Sequence, residues 1–324
     1  MQRCLSRVVP AGALAALLMS TGAVGQSLFG KPIRLVVGFA AGSGADITAR
    51  IVSQPMSEAL GQSVIVDNRP GGSGSVATEL VAKSPKDGNT LLLMTASDTI
   101  LPALKPDLGY DIERDLAPIS MLANGMYVLV VHPSLPVRDV KQLIAFSRSR
   151  PGKLSYGTSG VGSSSHLAGE LFNAMAKVKI VAVPYRSATL GAAATASGEI
   201  EMNYPSVPGA LPLIHANKVR PLAVTGVKRT PLLPSVPTLD ESGLHGYERT
   251  TWHGLAAPAG TPPEIVARYN AIAVKIVNMP ETKQLFVKQG IEPQSGPADE
   301  FAARIHRELE DNRALVKRAG AKAD

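Results

Sequence analysis

Apolar, β-rich runs alternate with helical patterns along this chain, and the alternation starts afresh near its middle, which leaves few folds open to it. Ile33 to Val37 precede a glycine turn and a helical pattern from about Asp46 to Leu60. Ser63 to Val66 read as a second strand, Val76 to Lys83 as a helix, and Thr90 to Met94 as a third strand entered through the turn Lys86-Asp87-Gly88-Asn89. The pattern restarts with Tyr127-Val128-Leu129-Val130-Val131. A helix from about Val140 to Arg148, a strand from Leu154 to Tyr156, a helix after Ser163, a strand from Ile180 to Val183, an alanine-rich helix around Leu190 to Ala196 and a strand from Pro221 to Val224 follow. Such alternation predicts mostly parallel sheets covered by helices, and the restart predicts two such units. Pro231 to Pro237 read as a rigid connector. Pro262 and Pro263 suit the first turn of a helix reaching about Val277, and the remaining C-terminal stretch is helical, with Phe301, Ile305, Leu309 and Val316 on one side.

The N-terminus sets the compartment. Arg3 and Arg7 precede an apolar run from Val8 to Met19 and then small residues from Ser20 to Gly25, the pattern of a secretory signal peptide over residues 1–25. Cleavage is expected near Gln26, with Gly22-Ala23 as a second option. The run is far shorter than the roughly 20 residues of a spanning helix, so no membrane span is expected. Cys4, the single cysteine, precedes the run and leaves with it, which excludes disulfides and thiolate metal sites from the remainder. At 45% hydrophobic residues the chain can bury more core than one typical domain holds. Loss of Arg3 and Arg7 lowers the formal net charge from +7 to +5, a moderate excess compatible with an anionic solute or with a generic basic surface. Basic residues are scattered and aromatics make up 4%, which argues against a nucleic-acid face.

Two glycine loops stand between a buried strand and a helix, one in each half: Phe39-Ala40-Ala41-Gly42-Ser43-Gly44-Ala45-Asp46, and Tyr156-Gly157-Thr158-Ser159-Gly160-Val161-Gly162-Ser163-Ser164-Ser165-His166. Free N–H groups at a helix start, with the helix dipole, attract an anion, so two facing loops of this kind would grip a carboxylate. Either loop alone also fits a plain βα turn. Other chemistries match poorly. Gly42-Ser43-Gly44-Ala45-Asp46-Ile47 lacks the third glycine of a dinucleotide fingerprint, and no Gly-Lys-Ser/Thr closes a P-loop. Gly157-Thr158-Ser159-Gly160-Val161 ends in valine where a hydrolase elbow needs glycine. His166 and Glu170 share a helical face without a partner metal motif, and the other histidines, His253 among them, are isolated. No carboxylate pair stands out for acid and base work, and no cofactor or metal is expected. A third cluster, Asn68-Arg69-Pro70-Gly71-Gly72-Ser73-Gly74, opens the helix at Val76 and reads first as a turn, second as a cleft wall.

The chain resembles the Bug/TctC family, the extracytoplasmic solute receptors of tripartite tricarboxylate transporters, over essentially everything after the leader. The segments that carry the likeness are Lys31 to Val37 with the loop through Asp46, Leu60-Gly61-Gln62 with Val64 to Pro70, Asp87 to Leu92, Val131-His132-Pro133-Ser134, Pro151 to Gly157 with Ser165 to Leu171, Val183-Pro184-Tyr185, and Trp252 to Pro262. The resemblance implies a type II-like periplasmic binding protein of two α/β lobes with the ligand in the cleft between them. It implies a periplasmic location, a small carboxylate or related solute as ligand, and the membrane subunits of a tripartite transporter as partner. In the family the two loops pinch a ligand carboxylate, which carries over to Ala41, Gly42, Ser43, Gly44 and Asp46 and to Ser159, Gly160, Gly162, Ser163 and Ser164. Thr95, Ser97 and Trp252 are further cleft candidates. The chain departs from the family at Ala40-Ala41 in place of Pro-Pro, at Tyr204-Pro205, and at Arg186-Ser187 in place of Lys-Gly, changes that bear on the distal part of the ligand.

The expected lobes are residues 26–124 joined by 250–324, and the intervening 125–249. Lobe closure on the solute would present a surface that a membrane partner can distinguish from the open form. A sensor subunit for a membrane signalling protein would use the same closure, and a secreted hydrolase is the weaker rival because no nucleophile motif supports it.

Overall fold

The computed structural model describes residues 31–319; the predicted leader, with Cys4, lies outside the described residues. Two sheets form two lobes. The first begins with β1 (Ile33–Val37), whose residues are nearly all buried, flanked in parallel by β2 (Val64–Asn68) and β3 (Thr90–Thr95). Continuous apolar strands of this kind need helices on both faces. Alternate side chains of β1 supply the two layers. Ile33, Leu35 and Val37 pack with Ala49, Val52 and Met56 of α1 (Gly44–Leu60), while Val36 meets Ala77 and Val81 of α2 (Ser75–Ala82). Next come α3 (Ala96–Leu104), α4 (Ile112–Asp115) and the long strand β4 (Leu116–Met126).

The second lobe is built on β5 (Val128–Val131), α5 (Val140–Arg148), β6 (Ser155–Thr158), α6 (Ser164–Ala176), β7 (Val181–Pro184), α7 (Ala188–Ser197), β8 (Met202–Asn203), α8 (Val207–His215) and β9 (Arg220–Val224). Its sheet runs β7-β6-β8-β5-β9, with β6 parallel to β7 and β8, and β5 antiparallel to β8 and β9. Here too period-2 alternation decides the layers: Leu129 and Val131 join Tyr156, Leu171 and Phe172, while Val128 and Val130 face Val207 and Ala210.

The chain returns to the first lobe as β10 (Thr250–Pro258), which pairs antiparallel with both β3 and β4, and then forms α9 (Pro263–Asn278), α10 (Pro280–Lys288), the short β11 (Glu292–Pro293) and α11 (Ala298–Ala319). The first sheet therefore runs β11-β4-β10-β3-β1-β2. Both crossings between lobes are extended and lie side by side. Tyr127 N–H donates to Thr225 Oγ1 (2.9 Å), and Arg249 N–H donates to Thr225 C=O (2.8 Å). A third connection is α11, whose Phe301 and Ile305 sit in the first lobe's core while Leu315 packs against the second lobe's core.

The strands before the two glycine loops lie where the apolar runs predict them. The sequence reading did not include β4, whose polar and small residues mask its period, nor the two-residue β8. Alanine-rich α7 extends over Ala188–Ser197 and starts two residues before its predicted position, because Ser187 caps it through the Leu190 N–H (3.2 Å).

Candidate functional site

The two glycine loops have the same local architecture. Ser43 (φ −72°, ψ 161°) caps α1 and Ser163 (φ −76°, ψ 162°) caps α6. Each hydroxyl accepts the N–H three residues on, from Asp46 (3.2 Å) and from His166 (3.1 Å). One residue before each cap, Gly42 (φ 77°) and Gly162 (φ 83°) take the left-handed conformation that favours glycine. Their N–H groups donate to the side chain at the third helical position, Gly42 to Asp46 Oδ2 (2.9 Å) and Gly162 to His166 Nδ1 (3.3 Å). Burial opposes the charge on Asp46, but hydrogen bonds from Arg50, the Gly42 N–H and Asn68 outweigh it and hold the carboxyl below its ordinary pKa. Asp46 is not among the residues that line the cleft.

Across the cleft the loops behave differently. Among the described residues the N–H groups of Gly44 and Ala45 have no hydrogen-bond partner, and both residues line the cleft. At α6, by contrast, the Ser164 N–H donates to Ser97 Oγ of the other lobe (3.1 Å). Ser73 Oγ donates to the Val161 carbonyl (2.6 Å) and Thr189 Oγ1 to the Gly42 carbonyl (3.2 Å), so three hydrogen bonds join the lobes in a closed arrangement.

The cavity between the lobes is about 50 Å³. Four helices begin at its wall: α1 through Ser43, Gly44 and Ala45, α3 through Thr95 and Ser97, α7 through Ser187, Ala188 and Thr189, and α8 through Ser206. Ser159, Phe39, Tyr127, Thr251 and His253 complete the lining, and no Asp, Glu, Lys or Arg is among the lining residues. The wall therefore offers hydroxyls, backbone N–H groups and the positive ends of helices, a combination that favours an anion. His253 is 4% exposed, burial lowers its pKa to about 4, and its Nδ1 shares a hydrogen bond with Thr48 Oγ1 (2.8 Å), so it meets the cleft as a neutral imidazole near neutral pH. Burial raises the Tyr127 hydroxyl's pKa, which keeps it protonated.

Of the residues singled out from sequence, Ser43, Gly44, Thr95, Ser97 and Ser159 line the cavity. Ala41 and Gly42 are exposed and do not line the cavity, though the Gly42 carbonyl accepts from Thr189 of the other lobe. Asp46 and Ser163 are buried supports of the loops, and Ser164 presents its N–H to Ser97. Gly162 packs toward Leu101, and Gly160 lines a separate cavity nearer the surface. Trp252 requires a correction: it faces away from the cleft. Its indole N–H donates to the Glu308 carboxylate (2.7 Å), and its ring meets Phe301 edge-on with centroids 5.3 Å apart. Strand alternation explains the error, because on β10 the residues either side of Trp252, Thr251 and His253, are the ones that line the cavity. The sequence reading missed Tyr127, Ser187, Thr189, Ser206, Thr251 and His253. Ser187 was legible as an N-cap before the alanine-rich helix; the others depend on how the lobes meet.

Two α/β lobes joined by paired strands around a polar, anion-favouring cleft define a solute-binding protein of the periplasmic type. The chain belongs to the tripartite tricarboxylate transporter receptor family, whose profile, "Tripartite tricarboxylate transporter family receptor", matches residues 48–321. It is 38% identical over 312 residues to the UPF0065 protein in the tcbD-tcbE intergenic region of Pseudomonas sp. strain P51, covering 96% of this chain and 93% of that one. It is 31% identical to protein BugT of Bordetella pertussis, covering 90% of each. Among solved structures it is similar to R. palustris Rpa4515 with adipate, at 36% identity and a TM-score of 0.87 over 90% of this chain and 98% of that one. It is also similar to MatC from Rhodopseudomonas palustris with bound malate, at 27% identity and a TM-score of 0.83 over 88% and 99%. No helix among the described residues is long and apolar enough to cross a membrane.

Proposed function

We propose that this protein is an extracytoplasmic receptor that captures a small carboxylate by lobe closure and delivers it to the membrane subunits of a tripartite transporter, without covalent chemistry. The observation that carries the reading is the cavity wall: four helix N-termini, the unpartnered N–H groups of Gly44 and Ala45, and no acidic side chain. The carboxylates bound by Rpa4515 and MatC support it, adipate in one and malate in the other. The absence of a catalytic step is supported by the pairing of His253 with Thr48, a residue outside the cavity lining, instead of with a cleft serine. Ligand sites are assigned to Ser43, Gly44, Ala45, Thr95, Ser97 and Ser159, with hinge motion at Met126–Tyr127 and Arg249–Thr250 between lobes 31–126 plus 250–319 and 127–249.

A ligand that binds only the folded, closed form stabilises it by about 2.7 kcal/mol at a hundredfold excess over its dissociation constant. Thermal melting of the mature protein against a panel of mono-, di- and tricarboxylates and neutral isosteres should therefore find at least one carboxylate that raises Tm. A rise with a neutral solute and with no carboxylate would overturn the reading.

A further inference from the structure

The third glycine cluster lies between the two cleft loops. A Cβ on Gly38, just before the first loop, would come within 2.7 Å of Gly74 Cα, and a Cβ on Gly160 of the second loop within 2.6 Å of Ser73 Oγ. Bare glycine backbone on both sides is what admits the cluster. Ser73 Oγ donates to the Val161 carbonyl at 2.6 Å, the shortest of the three hydrogen bonds that join the lobes. Four consecutive residues of the cluster have positive φ: Gly71 (153°), Gly72 (53°), Ser73 (60°) and Gly74 (105°). Glycine adopts such angles freely, but serine is strained there. Two other non-glycine residues share this feature among the described residues, Lys177 and Asn217, and both are exposed and follow the ends of α6 and α8. Ser73 is instead 5% exposed and bonded to the opposite lobe. Its acceptor is also flanked by left-handed glycines, Gly160 (φ 111°) and Gly162 (φ 83°). Neither Ser73 nor Val161 lines the ligand cavity, so their bond is not a ligand contact.

We infer that residues 71–74 form a closure latch under tension, in which the Ser73–Val161 bond holds the closed form and the left-handed backbone of Ser73 favours reopening. This rests on the reading of lobe closure above and names the residue that times it. Opening withdraws Val161 with the second lobe and breaks the bond. The glycines on either side then let Ser73 leave its strained angles, which they could not do if they carried side chains. A contact completed after the solute is captured slows its release and leaves its capture unchanged. Ser73 is therefore a positioning residue: it acts on the solute through the lobe that it holds.

The test compares mature wild-type protein with S73A, which loses the bond and keeps a side chain at the left-handed position, and with S73G, which loses the bond and relieves the strain. Cys4, the only cysteine, lies in the predicted leader, so one cysteine introduced into each lobe suffices for spin labels. Distances between labels are measured without ligand, and association and dissociation rates with hexanedioate and with malate as probes. S73A should shift the ligand-free distances toward the open form and release a bound probe about fivefold faster, the scale of one net hydrogen bond. Its association rate should stay within about twofold and its unliganded Tm should be unchanged. S73G should remain within about twofold of wild type throughout, because its two effects oppose each other. Wild-type distances and release in S73A would mean that the bond does not hold the closed form. A lowered Tm with slower association in S73A would make Ser73 a support of the fold, and release from S73G as fast as from S73A would mean that no tension is released on opening. Each of these results overturns the inference. Failure of both probes to bind bears on the carboxylate reading alone, because the ligand-free distances of the three proteins still decide the latch.

Discussion

The loops before α1 and α6 share a capping serine with nearly the same backbone angles, a left-handed glycine before it, and a side chain at the third helical position that accepts that glycine's N–H. Their roles differ. At α1 the first free N–H groups belong to residues lining the cavity, while at α6 the first N–H is taken by Ser97 of the opposite lobe. One helix start faces the cavity and the other is held by a hydrogen bond to the opposite lobe. Identical local hydrogen bonding therefore does not settle function; what stands opposite each helix start does.

The strongest way to break this comparison is to place a negative charge at each cap. Aspartate caps a helix about as well as serine, so folding should be little affected at Ser43, whereas at the fully buried Ser163 desolvation of the added carboxylate should also lower Tm. Ser43→Asp puts the charge in the cavity wall, where repulsion of a ligand carboxylate is of order 4 kcal/mol at 4 Å and an effective dielectric near 20. Affinity should fall by about a hundredfold or more, against about tenfold or less for Ser163→Asp, which does not line the cavity. Titration calorimetry of both variants decides it: equal losses would show that both loops meet the ligand.

The next largest effect concerns the support under α1, where Thr48 bonds the buried His253. Burial depresses the folded imidazole's pKa to about 4, so between roughly pH 6.5 and 4 the unfolded chain takes up a proton that the folded chain refuses. Stability should be fully present above about pH 6.5 and decline as pH falls through that window, by at most roughly 3 kcal/mol. Urea denaturation at pH 7 and pH 4 measures it, and His253→Gln should flatten the slope. An unchanged slope in that variant would assign the acid sensitivity to other groups.

A smaller effect is expected where α1 approaches the second lobe. A Cβ on Gly44 would stand 3.2 Å from Ser206 Cβ and Oγ. Gly44→Ala should hinder closure and weaken ligand binding by about tenfold, the scale of a 1.4 kcal/mol penalty, while unliganded stability is maintained or slightly raised because alanine suits a helix better. Small-angle scattering with ligand present should find a more open shape than wild type. The mildest change tests the hydrogen bond at the start of α6: Ser97→Ala removes the acceptor of the Ser164 N–H, a net hydrogen-bond loss of about 1 kcal/mol. Affinity should fall about threefold to fivefold, and no change would mean that water replaces the hydroxyl without cost to closure.

Much of the molecule is determined by the sequence alone, because the forces that specify it act over a few residues. Runs such as Ile33 to Val37 bury both faces of a strand, serines at Ser43 and Ser163 satisfy helix N–H groups within three positions, and glycines at Gly42 and Gly162 take backbone angles that other residues avoid. These local facts, repeated in two halves, were sufficient for two α/β lobes and for the loops at their cleft. They could not show which face of β10 turns inward. Trp252 is paired with Glu308 by the packing of α11, and Thr251 and His253 are left to the cavity. Nor could they show that Ser97 would occupy the start of α6 at Ser164, or that Ser73 would reach Val161. Those pairs are 67 and 88 positions apart in the chain and lie in different lobes. Only the closed packing of one lobe on the other brings them together, and that packing is set by the summed burial and hydrogen bonding of many residues, which no short stretch of sequence encodes.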